Sequence, residues 1–283
     1  MIDLHTHSSY SDGTQTPAEL MAAARDAGIS TLGLTDHDTI AGWAAAAAAV
    51  VDSGVSLVRG MEVTAHYNDA GTPISVHMLA YLFDPQAPEL AAHRENLRTS
   101  RITRAQHIVA RLAEDLPISW QDVVKIAGPD AVVGRPHIAD ALVVAGIVDS
   151  LEQAFANYLS PRGKYYVRNY SPDVFDVIAW INAAGGRAVF AHPAAVKRGK
   201  TVPLQALDAM AEAGLFGVEV HHRDNPESLR GQLTEKAEQL GLFQFGSSDY
   251  HGAGKPNRLG EHTTDSETLE LLAQGAFLEV IHP

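Results

Sequence analysis

The sequence predicts an α/β fold, built on a mostly parallel sheet or barrel and interrupted by a helical insertion. Short apolar runs alternate with helical segments in residues 1–83 and again in 167–283, and this alternation is typical of parallel α/β folds. Residues 84–166 contain helical patterns only. We therefore expect a barrel formed by 1–83 and 167–283 and an inserted helical cap formed by 84–166.

The first part of the predicted barrel opens with a strand and a well-marked helix start. Thr16-Pro17-Ala18-Glu19 matches a capping box with proline at the first helical position, so a helix begins there and runs to about Gly28. The other predicted elements are an alanine-rich helix at 40–52 and strands at 3–7, 31–34, 55–63 and 74–83.

The insertion and the last part of the chain have different patterns. No strand pattern separates the helices predicted at 88–116, from 119 onward, at 136–145 and at 151–159. Alternation then resumes, with helices predicted at 173–185, 204–213, 226–240 and 267–274 and strands at 187–191, 216–220, 242–246 and 277–281.

Composition and charge exclude several classes of protein. The 283 residues include no long apolar run and no basic segment followed by an apolar core, so we expect no membrane span and no secretory signal. The absence of cysteine excludes disulfides and cysteine nucleophiles, and a cytoplasmic location is expected. The net charge of −13 disfavours binding to duplex DNA. Carboxylates that hold metal ions add to this charge, so a phosphate-bearing substrate is compatible with it.

Nine candidate metal ligands lie at or just past the ends of predicted strands. Alternate residues of a strand share a face, so His5 and His7 can bind one ion together. Loops that follow parallel strands also share one face of a barrel. Because one ion takes about four to six ligands, we predict two to three divalent ions. Mixed imidazole and carboxylate ligands suit Mn, Fe, Zn or Co better than Ca or Mg. The nine residues are His5, His7, Asp12, His37, Glu62, His77, His192, Asp249 and His251.

Taken singly, several of these residues have an ordinary structural explanation. His77 could be a core residue of its strand, Asp12 a turn residue, and His192 part of the turn that ends its strand. Asp38 is assigned to a helix N-cap and left out of the site. The repetition of the pattern after successive strands favours a metal centre for the set.

A metal centre of this kind predicts hydrolysis of phosphate esters. It lowers the pKa of a bound water and neutralises an anionic substrate. We expect a metal-bridging hydroxide to attack phosphorus in line, with the ligands Asp249 and His192 counted among the catalytic residues. His222, just past a strand, is the candidate proton donor to the leaving group, with an ordinary loop histidine as the alternative. Amide or lactam hydrolysis is open to the same ligands.

The insertion carries much of the chain's positive charge. Residues 84–168 contain 10 of the 21 Lys and Arg and 10 acidic residues, so the remainder carries the net charge of −13. Arg94, Arg98 and Arg101 share one helical stripe with Arg104 at its edge, which suits either a solvated face or a contact with phosphate. Arg135, in a loop that enters a helix, is the best single candidate for bidentate binding of phosphate.

Six short motifs together resemble the PHP (polymerase and histidinol phosphatase) family of metal-dependent phosphoesterases. They are His5-Thr6-His7, Ser11-Asp12-Gly13, Thr35-Asp36-His37-Asp38, Gly60-Met61-Glu62, Ala191-His192-Pro193 and Ser248-Asp249-Tyr250-His251. The resemblance implies a distorted (β/α)7 TIM-like barrel with a trinuclear metal centre. It also implies three sets of ligands, namely His5, His7, Glu62 and Asp249, then Glu62, His77 and His192, then Asp12, His37 and His251.

The helical insertion resembles a two-domain subgroup of this family. That subgroup includes nucleoside 3′,5′-bisphosphate phosphatases and a 5′→3′ exoribonuclease acting on short RNA. The resemblance implies that the cap holds a nucleotide whose phosphate is contacted by Ser100, Arg101, Arg104, Arg135 and His137. We expect hydrolysis of phosphate monoesters of small nucleotides such as AMP or a nucleoside 3′,5′-bisphosphate. The alternatives are a 5′→3′ exoribonuclease, a histidinol phosphatase and a non-catalytic accessory module, which the complete set of nine ligands argues against.

Overall fold

Seven strands form one sheet in which the spatial order of the strands follows the sequence. The computed structural model describes residues 1–127, 133–160, 163–167 and 170–283, without the side chains of Arg98, Arg101 and Ile102. The predicted phosphate contact Arg101 therefore lies outside the described side chains. The strands are β1 (Ile2–Thr6), β2 (Thr31–Leu34), β3 (Ser56–Asp69), β4 (Thr72–Tyr81), β5 (Arg187–Phe190), β6 (Gly217–His221) and β7 (Phe243–Gly246).

The sheet curls into a nearly closed barrel. Strands β1, β2 and β3 pair in parallel, as do β5, β6 and β7, and β4 runs antiparallel to both of its neighbours. A parallel bridge between Thr6 and Tyr250 joins the end of β1 to the segment that follows β7. The predicted α/β barrel is confirmed, with one strand reversed.

The reversed strand belongs to a hairpin that the sequence patterns did not reveal. Strands β3 and β4 pair over ten residues each and are joined by Ala70 and Gly71, which have φ values of 48° and 86°. Two consecutive residues with positive φ form the tight turn that suits the twist of a hairpin. The hairpin therefore extends β3 to Asp69 and begins β4 at Thr72, beyond the predicted limits of both strands.

Eleven α-helices are found among the described residues. In the barrel they are α1 (Pro17–Asp26), α2 (Trp43–Ala48), α3 (Val50–Ser53), α8 (Val174–Ala183), α9 (Ala206–Glu212), α10 (Glu227–Leu240) and α11 (Ser266–Ala273). Between residues 84 and 166 they are α4 (Pro88–Ala113), α5 (Trp120–Ala127), α6 (Arg135–Val144) and α7 (Leu151–Asn157). None of these described helices combines the length and the apolar character needed to cross a membrane.

Local signals explain where several elements begin and end. Helix α1 starts at the predicted capping box, in which Thr16 and Glu19 bond to each other's backbone N–H groups. The alanine-rich helix is instead two short helices, which meet at Ala49. The strand predicted at 277–281 is wrong, because only Ile281 pairs, with Leu57.

The described chain divides into two compact units. One comprises Met1–Ala91 with Pro172–Pro283 and contains the barrel, and the other, the helical unit, comprises Ala92–Ser171. The helical unit has a core of its own, in which residues such as Leu112 and Leu142 are fully buried. The bounds that the sequence suggests for the cap, 84–166, stay a prediction.

Strands β1 and β2 approach each other closely at Gly33. A Cβ atom built on Gly33 would lie 2.1 Å from the carbonyl oxygen of Leu4, a distance that no relaxed contact allows. By contrast, a Cβ atom on Gly231, on the exposed side of α10, meets nothing within 4 Å. A side chain added at Gly33 should therefore destabilise the protein, whereas one added at Gly231 should not.

We expect Gly33→Ala to destabilise the protein by about 3 kcal/mol, because β1 and β2 must separate. Gly231→Ala, the matched control, should stabilise it by about 0.5–1 kcal/mol, because alanine loses less entropy in a helix. Urea denaturation followed by circular dichroism measures both changes. A Gly33→Ala midpoint equal to that of the wild type would contradict the close approach.

Candidate metal centre

Four buried side chains converge where β1 and β7 end beside the middle of β3. His5 and His7 project to the same face of the first strand, Glu62 lies within β3, and Asp249 follows β7. All four are at most 1% exposed. We call His5, His7, Glu62 and Asp249 the four-ligand cluster.

The spacing of this cluster fits a metal ion. His5 Nε2 lies 3.1 Å from His7 Nε2, and both nitrogens lie 3.1–3.4 Å from Glu62 Oε2 and Asp249 Oδ1. Tetrahedral coordination at about 2.0–2.2 Å separates ligand atoms by roughly 3.3–3.6 Å. Among the described residues, Glu62 Oε2 is buried without a partner in hydrogen-bonding geometry. A cation shared by these four atoms accounts for that arrangement.

Nearby opposite charges shift the pKa values of residues in the four-ligand cluster. Burial alone would lower the pKa of His7, but Asp249 and Glu62 raise it to about 9. Burial works against ionisation of Glu62, yet the surrounding histidines hold its pKa well below the usual range. The carboxylates are therefore ionised and available as ligands, whereas His7 must lose a proton before it can bind an ion.

The other oxygen of Glu62 contacts two further predicted ligands. Glu62 Oε1 lies 2.7 Å from His77 Nδ1 and 3.1 Å from His192 Nε2. Burial lowers the pKa of His192 to about 4, so its imidazole is neutral near pH 7. One carboxylate thus faces ligand nitrogens on both sides, which is the arrangement expected of a bridging ligand.

Asp12 gathers the remaining predicted ligands at the rim. Its carboxylate lies 3.1 Å from His251 Nε2 and 3.8 Å from His37 Nε2, and it is half exposed, at 49%. The Nδ1–H group of His251 donates to the carbonyl of Asp249, which turns Nε2 toward Asp12. Each of the nine predicted ligands therefore contacts at least one other member of the set.

Two aspartates of the Thr35-Asp36-His37-Asp38 motif shape the loops around His37. Asp36 accepts hydrogen bonds from Ser8 and Ser11 and so fixes the loop that carries Asp12. Asp38 accepts from both the backbone N–H and the hydroxyl of Thr64. The predicted N-cap role of Asp38 is wrong, because helix α2 begins later, after Gly42.

Glu219 is a residue of the site that the sequence patterns did not reveal. The Nδ1–H group of His5 donates to Glu219 Oε1 at 2.9 Å, and the backbone N–H of His192 donates to Oε2 at 2.8 Å. The first bond leaves His5 Nε2 free to bind an ion, so Glu219 orients a ligand. The sequence does contain one signal for Glu219, because it is a charged residue within the otherwise apolar strand β6. In the structure Glu219 is fully buried.

Four predicted substrate contacts can be located in the helical unit. Arg104 Nε donates to the carbonyl of Val167, and Arg135 Nη1 donates to the carbonyl of Leu159. Ser100 Oγ accepts from the backbone of Tyr170. His137 Nδ1 accepts from the N–H of Gly134, which caps helix α6.

Ser100 and Arg104 line a depression of about 350 Å³ within the helical unit. Burial, followed by the nearby charge of Arg135, lowers the pKa of Arg104. Neither arginine has a carboxylate partner among the described side chains. Two neighbouring guanidinium groups without an acidic partner form a positively charged spot that suits an anion.

We expect Glu219→Gln to weaken metal binding by about 10–100-fold, because a neutral amide orients His5 less firmly than a carboxylate does. Competition with a chelator, with metal measured by mass spectrometry, gives the affinity. The control is Glu238→Gln on the exposed face of α10, which should bind metal as the wild type does. Equal affinities for wild type and Glu219→Gln would show that Glu219 does not support the ligand.

Comparison with known proteins agrees with this geometry. The model of the PHP domain matches residues 3–127. The chain is 32% identical to a 3′,5′-nucleoside bisphosphate phosphatase of Chromobacterium violaceum, over 93% of this chain and 92% of that protein. It is 33% identical to a 5′-3′ exoribonuclease of Haemophilus influenzae, over 88% of this chain and 89% of that protein.

A solved structure extends the likeness to three dimensions. A protein of Bifidobacterium adolescentis assigned as a metal-dependent phosphoesterase superposes with a TM-score of 0.81 at 41% identity, covering 97% of this chain and 96% of that one. The relatives confirm the predicted enzyme class, a metal-dependent hydrolase of phosphate esters. The chain belongs to the PHP family.

Proposed function

We propose that this enzyme hydrolyses phosphate monoesters of small nucleotides, with nucleoside 3′,5′-bisphosphates as the first candidates. The observation that carries the proposal is the set of nine ligands around Glu62, in a chain 32% identical to a 3′,5′-nucleoside bisphosphate phosphatase along nearly its whole length. Two to three divalent ions, of Mn, Fe or Zn, are the proposed cofactors.

The nine ligands are proposed to divide into three sets, two of which share Glu62. The four-ligand cluster would hold one ion, Glu62 with His77 and His192 a second, and Asp12 with His37 and His251 a third. Divalent ions so held supply an acidified water and neutralise the charge of the phosphate. Glu219 keeps His5 in the orientation that this arrangement requires, with a 2.9 Å bond to Nδ1.

Arg104 and Arg135 form a candidate phosphate site of the helical unit. Arg104 and Arg135 lie close enough for one charge to lower the pKa of the other. An anion placed between them would relieve that repulsion and accept charge-assisted hydrogen bonds. Ser100 lines the same depression as Arg104 and offers a hydroxyl. We therefore propose that Ser100, Arg104 and Arg135 bind the phosphate that is not cleaved, with Arg101 and His137 as further contacts.

Removal of 5′-nucleotides from short RNA is the second candidate function. It is supported by the 33% identity to an exoribonuclease. Both reactions cleave a phosphate ester at the same ligands, so the difference lies in the size of the leaving group. Histidinol phosphate is a third candidate substrate, since it offers a monoester without a second phosphate.

A panel of substrates tests the proposal. With Mn²⁺ present, we expect phosphate to be released fastest from an adenosine 3′,5′-bisphosphate, and more slowly from AMP and histidinol phosphate, because only the bisphosphate carries a group for Arg104 and Arg135. Phosphate release and chromatography of the products provide the measurement. Faster cleavage of 5′-phosphorylated RNA would favour the exoribonuclease, and no turnover with any of the four under several metals would reject the enzyme proposal.

We expect Arg135→Ala and Arg104→Ala each to raise KM for the bisphosphate by about 10–100-fold, the loss typical of a charge-assisted hydrogen bond. Metal content should stay that of the wild type, and kcat/KM for a substrate with one phosphate should change little. Arg111→Ala is the matched control, because Arg111 also donates to a backbone carbonyl in the helical unit. If all three variants had the same KM, Arg104 and Arg135 would not be substrate contacts.

A further inference from the structure

Two nitrogen-bearing side chains outside the ligand set point at one oxygen of Asp249. Arg198 Nη2 donates to Asp249 Oδ2 at 2.5 Å, and His222 Nε2 lies 3.8 Å from the same oxygen. Arg198 Nη1 also donates to His192 Nε2 at 3.0 Å. Asp249 Oδ1 faces His5 and His7 on the other side, so the carboxylate separates an ion site from a group of donors.

Asp224, which is not one of the nine ligands, holds both donors. Its Oδ2 atom accepts a hydrogen bond from Arg198 Nε at 2.6 Å and lies 2.6 Å from Nη2 of the same ion pair. Its backbone N–H donates to His222 Nδ1 at 3.0 Å. One residue of the loop after β6 therefore fixes the position of the guanidinium and the orientation of the imidazole.

The bond from Asp224 also fixes which nitrogen of His222 carries hydrogen. Because Nδ1 accepts, the hydrogen of the neutral imidazole lies on Nε2. His222 is fully buried, and Nε2 has no hydrogen-bond partner among the described residues. A buried donor without an acceptor is costly unless a ligand supplies one.

Metal binding would change the surroundings of Arg198. His192 Nε2 is a proposed ligand atom, so the lone pair that now accepts from Arg198 Nη1 would turn to an ion and leave Nη1 without its acceptor. Arg198 would stay in place, because Asp224 continues to hold it. A guanidinium beside divalent cations is tolerated when an anion lies between the charges. The space for such an anion borders a cavity of about 210 Å³ lined by His77, His192 and Arg198.

We propose that Arg198 and His222, both positioned by Asp224, donate hydrogen bonds to oxygens of the phosphate that is cleaved. This inference rests on the proposed function for its substrate, and it places the donors to the reacting phosphate in the barrel. His222 then acts as a fixed donor to the phosphate, since Nδ1 is already engaged and cannot take a second proton without losing its bond to Asp224.

Binding of inorganic phosphate to the Mn²⁺-loaded protein tests the donor pair without turnover. Calorimetry should show at least about tenfold weaker binding for Arg198→Met and for His222→Ala, the loss expected for a hydrogen bond to a charged group. Metal content, measured by mass spectrometry on the same samples, should equal that of the wild type. His222→Gln should bind phosphate within about threefold of the wild type, because its amide N–H replaces Nε2–H and cannot act as an acid.

Two further variants complete the design. Arg25→Met removes an exposed arginine paired with Asp26 and should leave phosphate binding unchanged. Asp224→Asn keeps the backbone N–H but loses the charge that anchors Arg198, so phosphate should bind about threefold or more weakly at full metal content. Asp224→Asn alters no proposed ligand. It therefore tests whether Arg198 and His222 bind phosphate even if Arg198→Met or His222→Ala loses metal.

The outcomes separate this inference from the proposed function. Wild-type phosphate affinity in the metal-loaded Arg198→Met and His222→Ala variants would overturn the donor pair. Wild-type affinity in Asp224→Asn would overturn it as well if the other variants did not load metal. Weak binding in these variants, in a protein that hydrolyses none of the nucleotide panel, would support the donor pair and reject the nucleotide substrate.

Discussion

The carboxylate of Glu62 is the group on which the metal centre depends. Its two oxygens lie within 3.2 Å of five imidazole nitrogens, from His5, His7, His37, His77 and His192. A fully buried carboxylate in such surroundings is stable only when positive charge is supplied, by protonated imidazoles or by metal ions. The histidines come from four separate segments of the barrel, so the position of β3 fixes where all of them can meet.

Strain in the backbone accompanies this convergence. His192 and Asp249 have φ values of 31° and 54°, in a region that residues other than glycine seldom adopt. His192 lies two residues after the end of β5, and Asp249 lies three residues after the end of β7. Such conformations persist only where neighbours enforce them. At His192 the enforcing contact is the bond from its backbone N–H to Glu219.

The sequence predicted the barrel and a set of candidate metal ligands that the fold brings together, because both depend on local patterns. Strand β1 delivers His5 and His7 by alternation, and candidate ligands follow the ends of β5 and β7, which needs no knowledge of distant contacts. The roles of Glu219 and Asp38 were not predictable in this way, since their partners His5 and Thr64 are set by strand pairing. The hairpin of β3 and β4 was not predicted because its turn residue Ala70 does not indicate a tight turn, as asparagine or aspartate would.

The bridge between Thr6 and Tyr250 has a consequence for the biosynthesis of the enzyme. It joins the start of the chain to a segment near its end, and ligands occur at both places, from His5 to His251. The residues up to His251 must therefore all leave the ribosome before the candidate ligands can come together, and the early ones wait as free histidines and carboxylates. An ion that needs ligands from both segments would accordingly be bound only after β7 and the segment that follows it have been synthesised.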